Sequence, residues 1–142
     1  MERTFVMLKP DAVQLRHIGA IIEICEQQGF RLLALKMLKL NDKQAHTLYQ
    51  EHSGRPYFDN LIAFSMSGPV VICVFEGFQA IERFRHLVGH TNPTQAARHT
   101  LRARFGVGVP NNAVHASDSP DAADREIALF FDEGDIHHPT PH

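Results

Sequence analysis

One uninterrupted apolar run constrains the fold of this chain more than any other stretch. The run reads "VVICVFE", from Val70 to Glu76, and turn-forming residues bound it, beginning with Ser67-Gly68-Pro69. Because neither side of the run is polar, it predicts a strand that is covered on both faces. Periodicity alone also allows a buried helix. In the strand interpretation, apolar elements have to lie on one or both faces of a sheet.

The remaining segments predict further strands and helices, which alternate along the chain. "TFVML" and "FRLLALKMLKL" are mostly apolar and predict two further strands, and "NAVHA" predicts a short one near the C-terminal end. Ile18, Ile21, Ile22 and Cys25 recur at helical spacing, and Gly29 suits the residue that ends this helix. The other predicted helices are a short one capped by Asn41 or Asp42, one from Tyr57 to Phe64, one from Phe78 to Val88, and one that begins at Ser119-Pro120.

This order of elements predicts an α/β (α+β) fold with a ferredoxin-like βαββαβ core. The core is expected to hold an antiparallel four-stranded sheet with extra helices. Lys9-Pro10-Asp11 is interpreted as a turn, and a long, irregular loop insertion is expected from about Gly89 to Asn111. With 142 residues, the chain predicts one domain over residues 1–134 and a flexible C-terminal tail over residues 135–142.

Charge and composition exclude some classes of partner and setting. The formal net charge is −2, which does not favour a specific nucleic-acid binder or a protein held on an anionic membrane. No apolar run is long enough to span a bilayer, and the N-terminus lacks the pattern of a signal peptide. Cys25 and Cys73 lie in apolar segments without metal-ligand spacing, so buried free thiols and a cytoplasmic location are expected.

The residues taken singly leave the chemistry open. The phosphate-binding loop G-x-x-x-x-G-K-[ST] and the protein-kinase signature are absent. Lys9 follows the first strand, at an end where ligands of α/β sheets bind, and Arg85 and Arg102 suit phosphate, but each alone favours a surface charge. His115 could act as a nucleophile oriented by Glu126, or could be a half-buried histidine bonded to backbone. Spacing alone favours the second interpretation.

Seven stretches, taken together, favour the interpretation of His115 as a nucleophile. "MLKPDAV", "YQEHSGRPYF", "SGPV", "GHTNP", "TLRARF", "NAVHASDS" and "REIALFF" resemble, in order, the motifs of the nucleoside diphosphate kinase family. "NAVHASDS" is similar to the active-site signature N-x-x-H-[GA]-S-D of that family. The resemblance runs from about Arg3 to Phe131. It implies an enzyme that transfers the γ-phosphoryl group of a nucleoside triphosphate, mainly ATP, to a nucleoside diphosphate by a ping-pong mechanism.

The resemblance also implies a role for each site residue. His115 is the implied nucleophile, which Ser117 and Glu126 position and beside which Tyr49 packs. The implied phosphate contacts are Lys9, which also reaches the sugar, Arg85, Thr91 and Arg102. Asn112 is implied at the ribose, and Tyr57 and Val109 at the two faces of the base. Broad base specificity, Mg²⁺ carried on the nucleotide phosphates and a homo-oligomer (dimer-based, tetramer or hexamer) are expected, without a metal site of the protein's own.

Three positions depart from the common family pattern. Tyr57 stands where phenylalanine is usual, Ala116 stands where glycine is usual, and Arg104 stands where an acid is usual. Alanine at position 116 is strained if its φ is positive and harmless if it is negative. Ala116 and Arg104 motivate an alternative interpretation, in which the chain is a non-catalytic, nucleotide-binding regulatory module of the same fold.

Overall fold

The computed structural model describes residues 1–138, in which four strands and seven helices are joined by turns and loops. The strands are β1 (Glu2–Leu8), β2 (Arg31–Leu38), β3 (Val70–Gly77) and β4 (Val114–Ala116). The helices are α1 (Pro10–Gln14), α2 (Ile18–Gln27), α3 (Asp42–Leu48), α4 (Phe58–Ser65), α5 (Ala80–Val88), α6 (Leu101–Phe105) and α7 (Pro120–Phe130). One-turn 3₁₀ segments lie at Gln50–His52, Pro93–Gln95 and Glu133–Asp135.

The strands form one sheet in the order β2-β3-β1-β4, and every neighbouring pair is antiparallel. This topology confirms the predicted ferredoxin-like core with additional helices. β1 and β3 are the two central strands, and they pair along their full lengths from Glu2 opposite Gly77 to Leu8 opposite Val71. The short β4 pairs with the end of β1, which places His115 opposite Met7.

The central strands are apolar on both faces because a separate core packs against each face. Successive side chains of a strand point to opposite sides, so Phe5 and Met7 enter one core while Val6 and Leu8 enter the other. The first core contains residues of α3, α4 and α7, and the second contains residues of α1, α2, α5 and α6. The uninterrupted apolar run over β3 is therefore a strand covered on both faces, and not a buried helix.

Side-chain caps fix where two of the predicted helices begin. Asn41, rather than Asp42, caps α3: its side chain accepts from the Gln44 N–H, and the Gln44 side chain accepts from the Asn41 N–H. Ser119 caps α7 by accepting from the Ala122 N–H, and Pro120 takes the first helical position as predicted.

Two segments that were predicted to be irregular contain helices. The predicted turn at Lys9-Pro10-Asp11 is instead the start of α1. A proline fits the first helical position, so Pro10 begins the helix and does not prevent it. The long insertion contains α6, which Thr100 caps by accepting from the Ala103 N–H. The glycines and prolines around α6 shorten it to five residues rather than preventing it.

Regular packing continues beyond the end of α7. Ile136 is buried in the core that contains α7, and the His137 N–H donates to the Leu33 carbonyl at 2.9 Å. Lys36 bonds the Asp135 carboxylate and the Phe130 carbonyl, each at 3.0 Å. The boundary at residue 134 stays a prediction, and the last four residues of the predicted tail, 139–142, lie outside the described residues.

Candidate active site

A cleft of about 370 Å³ opens beside β4 and collects most of the predicted site residues. Its walls come from the end of β1, the segments before α4, the helix α5, and the chain between α5 and β4. Nine of the predicted residues line it: Lys9, Tyr49, Tyr57, Arg85, Thr91, Arg102, Val109, Asn112 and His115. The other two, Ser117 and Glu126, do not line the cleft but lie behind the His115 ring.

A buried carboxylate orients the imidazole of His115. Oε1 of Glu126 lies 2.6 Å from Nε2 of His115, and the Glu126 side chain is 2% exposed while that of His115 is 15% exposed. Because a carboxylate only accepts hydrogen bonds, Nε2 carries the proton of a neutral imidazole and Nδ1 keeps a free lone pair. The pair therefore leaves one ring nitrogen available as a nucleophile.

The Glu126 carboxylate is itself held in place from two sides. Oγ of Ser117 lies 3.2 Å from Oε1 of Glu126, and the same hydroxyl accepts from the Phe5 N–H at 3.3 Å. Nη2 of Arg125 lies 3.7 Å from Oε2 of Glu126 and bonds Glu51 at 2.6 Å. These contacts tie the orientation of the imidazole to β1 and to α7.

An aromatic ring packs against the imidazole. The ring of Tyr49 stands edge-on to that of His115, with centroids 5.5 Å apart and planes at 82°. The Tyr49 side chain is buried, and its hydroxyl has no hydrogen-bond partner within residues 1–138. Burial, with the Glu126 charge adding to it, raises the pKa of Tyr49 well above its usual value. The phenol therefore stays protonated and can donate to a ligand in the cleft.

Two cations of the cleft are buried. Nζ of Lys9 donates to the Pro110 carbonyl at 3.2 Å, and the guanidinium of Arg102 donates to the Gly89 carbonyl at 3.1 Å and to the Val114 carbonyl at 2.9 Å. Burial, reinforced by the Arg102 charge, lowers the pKa of Lys9 to about 7. Burial, reinforced by the Arg85 charge, lowers the pKa of Arg102 to about 10. Since burial disfavours both charges, an anion entering the cleft would relieve that penalty.

The third cation is more exposed and is paired with an acid. Nη1 of Arg85 lies 3.0 Å from Oδ1 of Asp118 and donates to the Ala116 carbonyl at 3.3 Å. The side chains of Arg85 and Asp118 are 39% and 52% exposed. The guanidinium is therefore positioned by the strand of the histidine and remains open to a ligand.

A buried amide lies next to the cations. Nδ2 of Asn112 donates to the Thr91 carbonyl at 2.8 Å, which joins the two residues predicted to contact ribose and phosphate. The Asn112 side chain is 2% exposed, and its Oδ1 has no partner within the described residues. A buried acceptor without a partner is costly, so a hydroxyl donor in the cleft would satisfy it. Tyr57 and Val109, predicted for the base, are 48% and 57% exposed at the cleft.

The structure shows that alanine is harmless at position 116 and that Arg104 does not line the cleft. Among the described non-glycine residues, φ is positive at Arg16, Gln79 and Ala113, and Ala116 is not one of them. Ala116 is an unstrained, buried strand residue, whereas Ala113, with φ of 75°, has the left-handed backbone. The guanidinium of Arg104 lies over the Phe105 ring, 5.4 Å from its centroid, and Arg104 does not line the cleft.

Sequence reasoning missed three residues of the site. Nδ1 of His52 lies 2.7 Å from the Tyr57 hydroxyl, and both residues line the cleft. Asp118 stands inside the "HASD" motif, and its pairing with Arg85 could have been suspected from that place. Asp11 accepts from the Ala113 N–H at 3.0 Å and so supports the residue with the left-handed backbone. His52 and Asp11 stand in the quoted stretches "YQEHSGRPYF" and "MLKPDAV", but no local pattern predicts their contacts, which depend on the fold.

Known proteins are similar to this chain over nearly its whole length. The family model for nucleoside diphosphate kinase matches residues 2–136. The chain is 46% identical to the nucleoside diphosphate kinase of Kosmotoga olearia over 136 aligned residues. The alignment covers 96% of this chain and 92% of that protein. The solved structure of the Aquifex aeolicus enzyme of that name is 41% identical with a TM-score of 0.92, over 95% of this chain and 98% of that one. The halophilic nucleoside diphosphate kinase from Halobacterium salinarum in complex with CDP is 41% identical with a TM-score of 0.94, over 99% of this chain and 93% of that one.

Proposed function

The chain belongs to the nucleoside diphosphate kinase family, and we propose that it performs the phosphoryl transfer of that family through a phosphohistidine at His115. The observation that carries this proposal is the convergence of one free imidazole nitrogen with three cations in a single cleft. Phosphoryl transfer requires mainly an in-line nucleophile and stabilisation of charge.

In the first half-reaction, Nδ1 of His115 attacks the γ-phosphorus of a nucleoside triphosphate. A P–N bond forms, the bond to the bridging β-γ oxygen breaks, and the nucleoside diphosphate leaves with that electron pair. The Nε2 proton stays in its bond to Glu126, whose negative charge stabilises the positive charge that develops on the ring. In the second half-reaction, a terminal oxygen of another nucleoside diphosphate attacks the phosphorus, the P–N bond breaks, and His115 is restored.

The cations have complementary tasks in this scheme. Lys9 and Arg102 are buried and pre-positioned by backbone carbonyls, so they stabilise phosphate charge without first being ordered. Arg85 is more exposed and can exchange its pairing with Asp118 for a phosphate. Thr91 adds a phosphate contact, and Asn112 offers its free Oδ1 to a ribose hydroxyl.

The base is proposed to lie between Tyr57 and Val109 at the exposed mouth of the cleft. Stacking tolerates every base because every base has a π face. Broad specificity among nucleosides is therefore expected. Discharge of the phosphoenzyme by only one nucleoside diphosphate would contradict this part of the proposal.

Mg²⁺ is proposed to enter with the nucleotide. Within residues 1–138, no three His, Cys, Asp or Glu side chains are grouped to hold a metal ion. Asp118 is half-exposed at the cleft and pairs with Arg85 through one oxygen only, so its other oxygen fits a contact to the water shell of the ion. When bound to the phosphates, Mg²⁺ neutralises part of their negative charge.

The test is formation of the intermediate. Wild-type protein incubated with γ-labelled ATP is expected to acquire an acid-labile, alkali-stable label that GDP, CDP or UDP removes. His115→Ala should acquire none. His86→Ala is a matched control, because the His86 side chain is 78% exposed and does not line the cleft. An unlabelled wild type would refute the mechanism and favour the nucleotide-binding module without turnover.

A cytoplasmic homo-oligomer is the remaining part of the proposal. The edge strand β2 exposes Leu35 and Met37 at 46% and 57%, and an exposed apolar edge favours pairing with another copy. Cys25 and Cys73 are buried and free, as in a reducing compartment. In the part of the chain that the structure describes, no helix has the length and apolarity needed to cross a bilayer. Analytical ultracentrifugation should give a mass that is a multiple of the chain mass.

A further inference from the structure

The cleft contains a second histidine, His52, that the proposed reaction does not use. Its Nδ1 lies 2.7 Å from the Tyr57 hydroxyl, and the two rings are 5.6 Å apart at 65°. The His52 ring also stands edge-on to Tyr49, at 6.1 Å and 63°. His52 therefore lies between the tyrosine that packs on His115 and the tyrosine proposed to stack on the base.

Tyr57 needs a restraint of this kind. Its side chain is 48% exposed, so packing covers only half of the ring. An exposed ring that stacks on a ligand loses rotamer freedom on binding unless the free protein already holds it in place. A bond at the phenol oxygen holds the ring at the end farthest from the backbone. Phenylalanine, which is usual at this position in the family, has no hydroxyl through which His52 could act.

The protonation state of His52 supports the same arrangement. Burial, the largest cause, lowers the pKa of His52 below its usual value, although Asp118 and Glu51 oppose this shift. The neutral ring is thereby favoured, and in the tautomer that leaves Nδ1 unprotonated this nitrogen accepts a hydrogen bond from the Tyr57 hydroxyl. The bond does not depend on a charge at either partner.

We propose that His52 is a positioning residue that holds Tyr57 in its stacking orientation and so sets the affinity of this site for the nucleobase. The inference rests on the proposed function, in which Tyr57 contacts the base. Because His52 acts through Tyr57 and not on the phosphates, its loss should weaken binding of any nucleotide that has a base. The maximal rate of phosphoryl transfer should change far less.

A double-mutant cycle tests the pair. The variants are His52→Phe, which keeps an aromatic ring beside Tyr49, Tyr57→Phe, which keeps the stacking ring, and the double variant. The half-saturating concentration of GDP for discharge of the phosphoenzyme should rise about threefold to tenfold in each single variant, as expected for one lost hydrogen bond. The double variant should be no worse than either single one, since the same bond is lost.

Three further measurements separate positioning from general damage. Ribose 5-diphosphate, which has the sugar and phosphates but no base, should discharge all variants as it does the wild type. His52→Asn, which places an amide near the position of Nδ1, should recover part of the GDP affinity. His46→Phe is the matched control, because His46 packs edge-on against Phe58 at 5.6 Å but does not line the cleft. It should bind GDP as the wild type does.

Unchanged half-saturation in the single variants, effects that add in the double variant, or equal losses with ribose 5-diphosphate would each overturn the inference. The labelling of wild-type His115 in the same assay distinguishes the two proposals. If the wild type is not labelled, the proposed function fails. If it is labelled and His52 is not coupled to Tyr57, only the positioning role fails.

Discussion

Oε1 of Glu126 lies 2.6 Å from Nε2 of His115, and this short bond joins a buried carboxylate to an imidazole that faces the cleft. The bond fixes which ring nitrogen is free, so the direction of attack follows from the position of Glu126. α7 supplies the carboxylate and β4 supplies the histidine. The reactive geometry therefore depends on how this helix packs against the sheet.

The first prediction concerns the charge of Glu126. Glu126→Gln keeps the size of the side chain and an oxygen that accepts from Nε2, but it removes the negative charge that stabilises the phosphorylated ring. A charge-assisted hydrogen bond exceeds a neutral one by about 1–2 kcal/mol, so phosphoenzyme formation should slow by about 5–30-fold. Rapid-quench labelling with γ-labelled ATP measures this rate. The affinity for ADP is the control and should stay near that of the wild type, while an unchanged labelling rate would show that the charge is not needed.

The second prediction is a pH dependence that comes from Lys9. The pKa of this buried lysine is lowered to about 7, and a phosphate in the cleft favours its charged form. Nucleotide binding above pH 7 should therefore take up a proton, and affinity should fall as the pH rises from 7 toward 9. The loss should approach about tenfold per pH unit at most, the limit for one linked proton.

Calorimetry can detect that proton directly. ADP is titrated in two buffers with different ionisation enthalpies, and the difference in heat gives the number of protons taken up. Lys9→Gln should bind more weakly and should lose the proton uptake at pH 8. Equal heats in both buffers for the wild type would mean that Lys9 is already fully charged or that it does not face the phosphate.

The elements with strong local patterns could be predicted from the sequence. The apolar run from Val70 to Glu76 and the cap at Ser119 are encoded by neighbouring residues, and the structure has a strand and a cap there. The other cap was predicted at Asn41 or Asp42, and the structure selects Asn41. α1 and α6 were missed because each has only five residues, too few for a hydrophobic period to appear. In both, the signal that mattered was a single residue at the start of the helix, Pro10 or Thr100.

The site also has a part that could be predicted from the sequence and a part that could not. Nine of the residues that line the cleft were predicted by resemblance to a family and not by spacing, because each alone favours a plain surface or core position. The supporting contacts of Asp11 and His52 could not be predicted. Asp11 reaches the Ala113 N–H across 102 positions of the chain, and His52 reaches the Tyr57 hydroxyl only after a turn brings the two together.

The third prediction concerns the cap of the helix that carries Glu126. The Ser119 side chain accepts from the Ala122 N–H at 3.1 Å, and Ser119→Ala leaves that donor without its partner. The expected loss is about 1 kcal/mol in the free energy of unfolding. Urea denaturation measures it. Ser119→Asp is the control, because aspartate also caps helices, and it should unfold close to the wild type. Equal stability of Ser119→Ala would mean that packing alone fixes the start of α7.

The last prediction compares the effects of glycine at Ala113 and at Ala116 on the free energy of unfolding. Ala113 has φ of 75°, a conformation that costs a residue with a side chain about 1–2 kcal/mol and costs glycine almost nothing. Ala113→Gly also loses a buried methyl group, worth about 0.8 kcal/mol, and about 0.5–1 kcal/mol of backbone order, so gain and loss nearly cancel and the variant should unfold within about 1 kcal/mol of the wild type. Ala116→Gly introduces the residue that is usual in the family, but it relieves no strain. It loses a buried methyl group and pre-formed backbone order, so it should lose about 1.5 kcal/mol in urea denaturation. The two variants remove the same atoms three residues apart, and equal losses would contradict the assignment of the strain to Ala113.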